Sequence, residues 1–274
     1  CKTNLSKVQI FTLQSMRYSI RLSYNGSYFF GWQIQKQQTS IQEELQKALS
    51  MLLESEITVT GAGRTDTGVN AINYIAHFDT ESDSTSVPDM KKLAYKLNAI
   101  LPKSIVIHEI AQVRPEFHAR FSATSREYHY FIHRKKDPFM ENFSWYCRYP
   151  LNIDRMNDAA KLLLGQHDFS CFEKTGGNNK TSICTVYQAQ WKKYSPLHIA
   201  EMGFPDEEDG YIVFTISADR FLRNMVRAIV GSLVDVGRGK RDAGWFGNLI
   251  ASGKRSDAGE SVPGKALFLS KVTY

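Results

Sequence analysis

The sequence predicts an α+β protein made of two modules with mostly antiparallel sheets, and three observations lead there. Strand-like runs alternate polar and apolar residues. Helix-like runs space apolar residues three and four apart, and the order strand–helix–strand–strand–helix–strand occurs twice. With 274 residues, 42% hydrophobic and 23% charged, the chain can bury one large core or two of ordinary size.

The segment "RYSIRLSY", Arg17 to Tyr24, alternates and reads as the first strand, closed by the turn "NGS". Ser40 with Glu43 three residues on forms a capping box, and Ile41, Leu45, Ala48, Leu49 and Leu52 mark one apolar helix face. The strands "ITVTGAG" and "NYIAHFD" follow, then a helix from about Pro88 carrying Leu93, Leu97 and Ile100, then the strand "SIVIHEI". The second module opens with a long strand, "RFSATSREYHYFIH", and a helix opened by Asn152 and stopped at Gly165. Strands "ICTVYQAQW" and "YIVFTISAD", the helix "FLRNMVRAIVGSLVDVG", a short helix near Gly244 to Ser252 and the strand "ALFLSKVTY" complete it. The halves share an order of elements but no sequence repeat. Pro115 marks the join, giving an N-terminal domain over 1–115 and a C-terminal domain over 116–274, with residues 1–15, before Met16, read as a dispensable extension.

No apolar run approaches the roughly 18 residues that a spanning helix requires. The stretch "CKTNLSKVQIFTLQS" has neither an apolar h-region nor a small-residue cleavage site, so the expectation is a cytoplasmic protein. Cys1, Cys147, Cys171 and Cys184 stand far apart with no CxxC pair, which predicts reduced thiols and no metal site. The formal charge of +6 is unevenly spread. Val113 to Lys136 and Asp219 to Arg241 each hold six Lys or Arg against two acids, interleaved with aromatic or histidine residues, a pattern suited to a polyanionic partner.

The stretch "GAGRTDTGVNA", Gly61 to Ala71, places Asp66 on a glycine-flanked turn. A dinucleotide fingerprint would need a third glycine where Asp66 stands. The "DTG" of aspartic proteases needs a second such loop to share a proton, and the chain has only one, so that reading requires a homodimer to supply the other copy. There remain a nucleophilic carboxylate with a cation beside it, Arg64 being two residues away, and an arginine and aspartate that only pin a tight turn. If "RFSATSREYHYF" is one strand, Arg120, Ser122, Thr124, Arg126, Tyr128 and Tyr130 share a face that suits a phosphate backbone and a stacked base. In the helix near the end, Arg223 and Arg227 lie four apart beside an apolar stripe, and like charges at that spacing call for an anion, for which Asp66 is the candidate.

These motifs, with "YNGSYFFGWQ", "SIQEELQKAL", "GQHDFSCF" and "VPGKALFLSKVTY", resemble the TruA family of tRNA pseudouridine synthases over nearly the whole chain. The resemblance implies two ferredoxin-like halves flanking a central basic cleft, a homodimer, tRNA as partner and no cofactor. It also implies conversion of uridine to pseudouridine at positions 38 to 40 of the anticodon arm, with the target base flipped out. By position, Asp66 would be the catalytic nucleophile, Arg64 would help displace the base, Tyr128 would stack on the uracil, Arg227 would pair with Asp66 and Leu267 would line the pocket. Arg126 would join them in binding substrate. Asn25 and Asn70 depart from the family pattern, which usually has aspartate and histidine there.

Overall fold

The computed structural model describes residues 14–82, 89–176, 180–205 and 210–274. The first half runs β1 (Gln14–Tyr24), α1 (Ile41–Leu53), β2 (Val59–Gly61), β3 (Asn70–Ser82), α2 (Met90–Ile100) and β4 (Ile105–Gln112). The second half runs β5 (Ser125–His133), β6 (Trp145–Tyr146), α3 (Ile153–Lys161), β7 (Gly165–Asp168), β8 (Ile183–Lys193), α4 (Leu197–Ala200), β9 (Tyr211–Ala218), α5 (Met225–Gly237), α6 (Ala243–Ser252) and β10 (Leu267–Thr273). The pieces β6, β7 and α4 are two to four residues long, too short to leave a periodic signal. Among the described residues, no helix is long and apolar enough to cross a membrane.

All strands join one sheet in the order β4-β1-β3-β10-β5-β9-β8-β7, with β2 on β3 and β6 on β5. The first half therefore reads β4-β1-β3-β2 and the second β10-β5-β9-β8, the same order twice. Strand β10 welds the halves: it pairs antiparallel with β5, Leu269 opposite Tyr128, and parallel with β3, Leu269 beside Ala71. Two apolar cores result. One lies between β1, β3, β4 and helices α1 and α2; the other lies under α3, α5 and α6. Tyr128 packs against both, at the seam.

Local chemistry sets the helix starts. Ser40 Oγ accepts from the Glu43 amide at 3.3 Å, so α1 begins at Ile41 and buries Ile41, Leu45, Ala48 and Leu49. Asp89 caps α2, Asn152 caps α3 and Asp242 caps α6 in the same way. The start near Pro88 lies outside the described residues.

The structure corrects three sequence expectations. The long strand from Arg120 does not form: β5 begins at Ser125, so Arg120, Ser122 and Thr124 share no strand face with Tyr128. The His118 ring accepts from the Arg120 and Phe121 amides at 3.1 and 3.2 Å, and the Ser122 amide donates to the His118 carbonyl, so local bonds outcompete the ladder. Helix α5 begins at Met225 rather than Phe221, because Asn224 sits in the left-handed region (φ 65°). Arg223 and Arg227 are therefore not one helical turn apart. Finally, β1 begins at Gln14 rather than Arg17, with Gln14 and Ser15 paired to Ser82 and Glu81. Residues 1–13 lie outside the described part of the chain.

Candidate active site

The loop between β2 and β3 carries Asp66, and neighbours on several sides fix it. The Trp32 amide donates to the Thr65 carbonyl at 3.2 Å, Tyr24 and Thr65 share a buried hydroxyl contact at 2.9 Å, and the Val69 amide closes a turn onto the Asp66 carbonyl. The Tyr74 hydroxyl donates to the Gly63 carbonyl, with the Trp32 ring stacked on Tyr74 at 4.2 Å. Gly31, at φ 96°, must be glycine for a steric reason as well: a Cβ there would stand 2.5 Å from the Thr65 carbonyl oxygen. Asn70, fully buried, accepts from the Gly26 amide and donates to the Lys265 carbonyl at 2.8 Å. It thus ties the first turn to the C-terminal strap, while Asn25 caps its own turn by accepting from the Ser27 amide.

Helix α5 supplies the cation. All of its residues except Arg227 and Asp235 are buried, so a charge inside it requires a built partner. Arg227 Nε donates to the Val262 carbonyl at 2.7 Å, which orients the guanidinium, and Nη1 donates to Asp66 Oδ2 at 3.3 Å. Side-chain exposures of 21% for Arg227 and 28% for Asp66 leave the carboxylate open on one side. Carboxylate and guanidinium lie 161 residues apart in the chain and meet only because β10 joins the halves.

Tyr128 projects from β5 at this seam, with the Phe221 ring edge-on at 5.1 Å. Burial pushes its hydroxyl above the ordinary tyrosine value; the Arg126 charge opposes the shift and the Asp66 charge adds to it. The phenol stays protonated at neutral pH. Leu267, buried, faces Tyr130 across the β10–β5 pair, and Tyr130 donates to the Pro263 carbonyl in the strap that holds Arg227. Arg64 stands apart: it is exposed, and its Nε donates to Gln33 at 3.1 Å.

Arg126 stays in β5, two residues from Tyr128 as the sequence proposed, but its guanidinium is engaged with backbone. Its guanidinium donates to the carbonyls of Asp219 (2.7 Å), Ala62 (3.1 Å), Ala123 (3.1 Å) and Arg120. It clamps the Asp66 loop to β5. Sequence reasoning missed Gln33, Phe221 and the Val262 carbonyl; Gln33 and the glycine before it sat visibly in "FGWQ", whereas a backbone carbonyl leaves no trace in sequence.

The geometry can be set beside known proteins. A tRNA pseudouridine synthase family profile matches residues 22–122 and 159–274. The chain is 45% identical to tRNA pseudouridine synthase A of Bacteroides fragilis, over 94% of this chain and 96% of that protein. It is 42% identical to the protein of that name from Porphyromonas gingivalis, over 94% and 97%, and 39% identical to the one from Thermoanaerobacter pseudethanolicus, over 93% and 98%. With similarity of this depth across both halves, the chain belongs to the tRNA pseudouridine synthase family and is an isomerase.

Proposed function

We propose that this enzyme converts uridine to pseudouridine in the anticodon arm of tRNA, with Asp66 as the nucleophile acting on a base flipped out of its stack. The observation that carries the reading is the Asp66 carboxylate, presented on a braced loop, paired with Arg227 and near enough to Tyr128 for its charge to be felt at that hydroxyl. The relatives' shared name supplies tRNA as the substrate class.

The reaction breaks the N1–C1′ glycosidic bond and forms C5–C1′, while the proton lost from C5 is replaced by one gained at N1. Atoms balance without redox change. A carboxylate serves by adding to C6 of the ring, by attacking C1′, or by taking the 2′ proton. Arg227 balances its charge without covering it. Tyr128, protonated, offers a flat face for the detached uracil and one hydroxyl proton to donate. Leu267 lines the pocket from the next strand. Arg64, exposed and held through Nε, is placed to fill the gap left in the RNA stack, and Arg126 supports binding by fixing the loop.

The repeated strand order supports two ferredoxin-like halves, over 1–115 and 116–274, and the unevenly spread basic residues support a basic cleft between them; a homodimer is what the family resemblance adds. Asp66→Asn tests the core of the proposal. Carbodiimide treatment and primer extension on tRNA should find no pseudouridine, while tRNA affinity stays within about twofold of wild type, since the substitution removes one charge and no phosphate contact. Turnover by that variant would eliminate Asp66 as nucleophile, and binding without modification by the wild type would mark a tRNA-binding module instead.

A further inference from the structure

We propose that the far end of α5 carries a second RNA-backbone site, built from Arg148, Tyr149, Arg238, Lys240 and Arg241, which holds the body of the tRNA while its uridine lies at Asp66. The proposal rests on the RNA-modifying reading above. Arg238 follows Arg227 by eleven residues, three helical turns, so it emerges on the same side of α5 about 16 Å further along. The active-site cation and this cluster therefore face one direction, separated by a distance that several nucleotides span.

The cluster is built around aromatic rings. The Arg238 guanidinium carbon lies 3.6 Å from the ring centroid of Tyr149, a residue 40% exposed, and that of Arg148 lies 5.4 Å from it. Arg241 sits 5.2 Å from the Trp245 ring. A guanidinium stacked on a ring keeps its in-plane N–H donors pointing outward, the geometry that binds phosphate oxygens in a fork. The concentrated positive charge registers on Tyr149 itself: a hydrogen bond from Arg148, with the charges of Arg148, Arg238 and Lys240, holds its hydroxyl below the ordinary tyrosine value. Asp235 compensates only in part, 4.0 Å from Arg238 and 3.6 Å from Lys240, and Asp242 is engaged in capping α6. Among the described residues, no carboxylate ion-pairs with Arg148 or Arg241. Like charges gathered this closely are relieved by an anion. The short loop Gly239–Arg241 turns the bases outward, with Gly239 at φ 73°.

The test uses full-length tRNA and two variants. The triple change Arg148→Glu, Arg238→Glu, Arg241→Glu reverses the patch, and the pair Arg148→Gln, Arg241→Gln leaves half-buried Arg238 in place as a variant that does not challenge the fold. The triple variant should raise KM for tRNA about tenfold or more, leave kcat within about twofold, and flatten the plot of log affinity against log salt by about two or three charges. The pair should shift the same quantities in the same direction by less. Unchanged KM and unchanged salt slope in either variant would overturn the site, as would a fall in kcat at constant KM. If the wild type formed no pseudouridine, the functional reading would fail first, and the salt slope of tRNA binding would still decide the patch.

Discussion

One residue pair separates this site from a surface ion pair. Exposed Arg–Asp pairs contribute at most about 1 kcal/mol. Arg227 differs because Nε is anchored on the Val262 carbonyl, so Nη1 meets Asp66 with little rotamer freedom left to lose. A lysine keeps the charge but cannot serve both acceptors at once. Arg227→Lys is expected to lower single-turnover rate by about ten- to a hundredfold, the equivalent of one charged hydrogen bond, with KM for tRNA nearly constant. An unchanged rate would show that the pairing does not matter to chemistry. Asp66 was legible in sequence because glycines flank a lone carboxylate. The clamp made by Arg126 was not legible, because its partners are four backbone carbonyls brought together from three separate segments.

At the scale of the element, α5 determines how firmly Arg227 is held. Gly231 lies at its middle, where a Cβ would stand 1.8 Å from the Glu260 carbonyl oxygen, and Ser232 Oγ accepts from the Gly259 amide at 2.8 Å. The strap from Gly259 to Val262 therefore lies directly on the helix, and Val262 is the residue that orients Arg227. Alanine in a helix gains about 1 kcal/mol over glycine from propensity, but a clash with backbone outweighs it, since overpacking costs about 1–3 kcal/mol and here the neighbour is main chain. Gly231→Ala should lower the unfolding free energy by about 1–2 kcal/mol net, seen as a lower denaturation midpoint, and reduce kcat by displacing the strap; a stabilised, fully active variant would contradict the packing. The apolar stripe of α5 was readable at helical spacing. Its start was not, because the left-handed conformation at Asn224 depends on the bond from its side chain to Ser261, 37 residues away.

At the scale of the whole molecule, the second core is expected to open as one unit, because its buried residues form a single contiguous cluster. It contains Cys147, Cys171 and Cys184, all buried thiols with no disulfide. Burial pushes the Cys171 and Cys184 thiols up to about 12 and raises Cys147 as well. Only the thiolate alkylates, and a value of about 12 leaves about one part in ten thousand of Cys171 and Cys184 ionised at pH 8, while Cys147 is shielded by its burial. Iodoacetamide at pH 8 should leave all three unlabelled in the native protein and label them together across the denaturant transition. Early labelling of one alone would mean that this core opens in parts.

The sequence by itself determined the α+β class, the twofold order of elements, the caps at Ser40 and Asn152 and the candidate residues of the site, because periodicity, capping and glycine-flanked charge are written in neighbouring residues. Only the tertiary structure decided that the halves form one sheet, that β10 is the weld, and that Arg227 reaches Asp66 across 161 residues. The physical reason is that pairing across β10 and the bonds to backbone carbonyls depend on where segments distant in sequence come to lie, and residue type alone does not specify that.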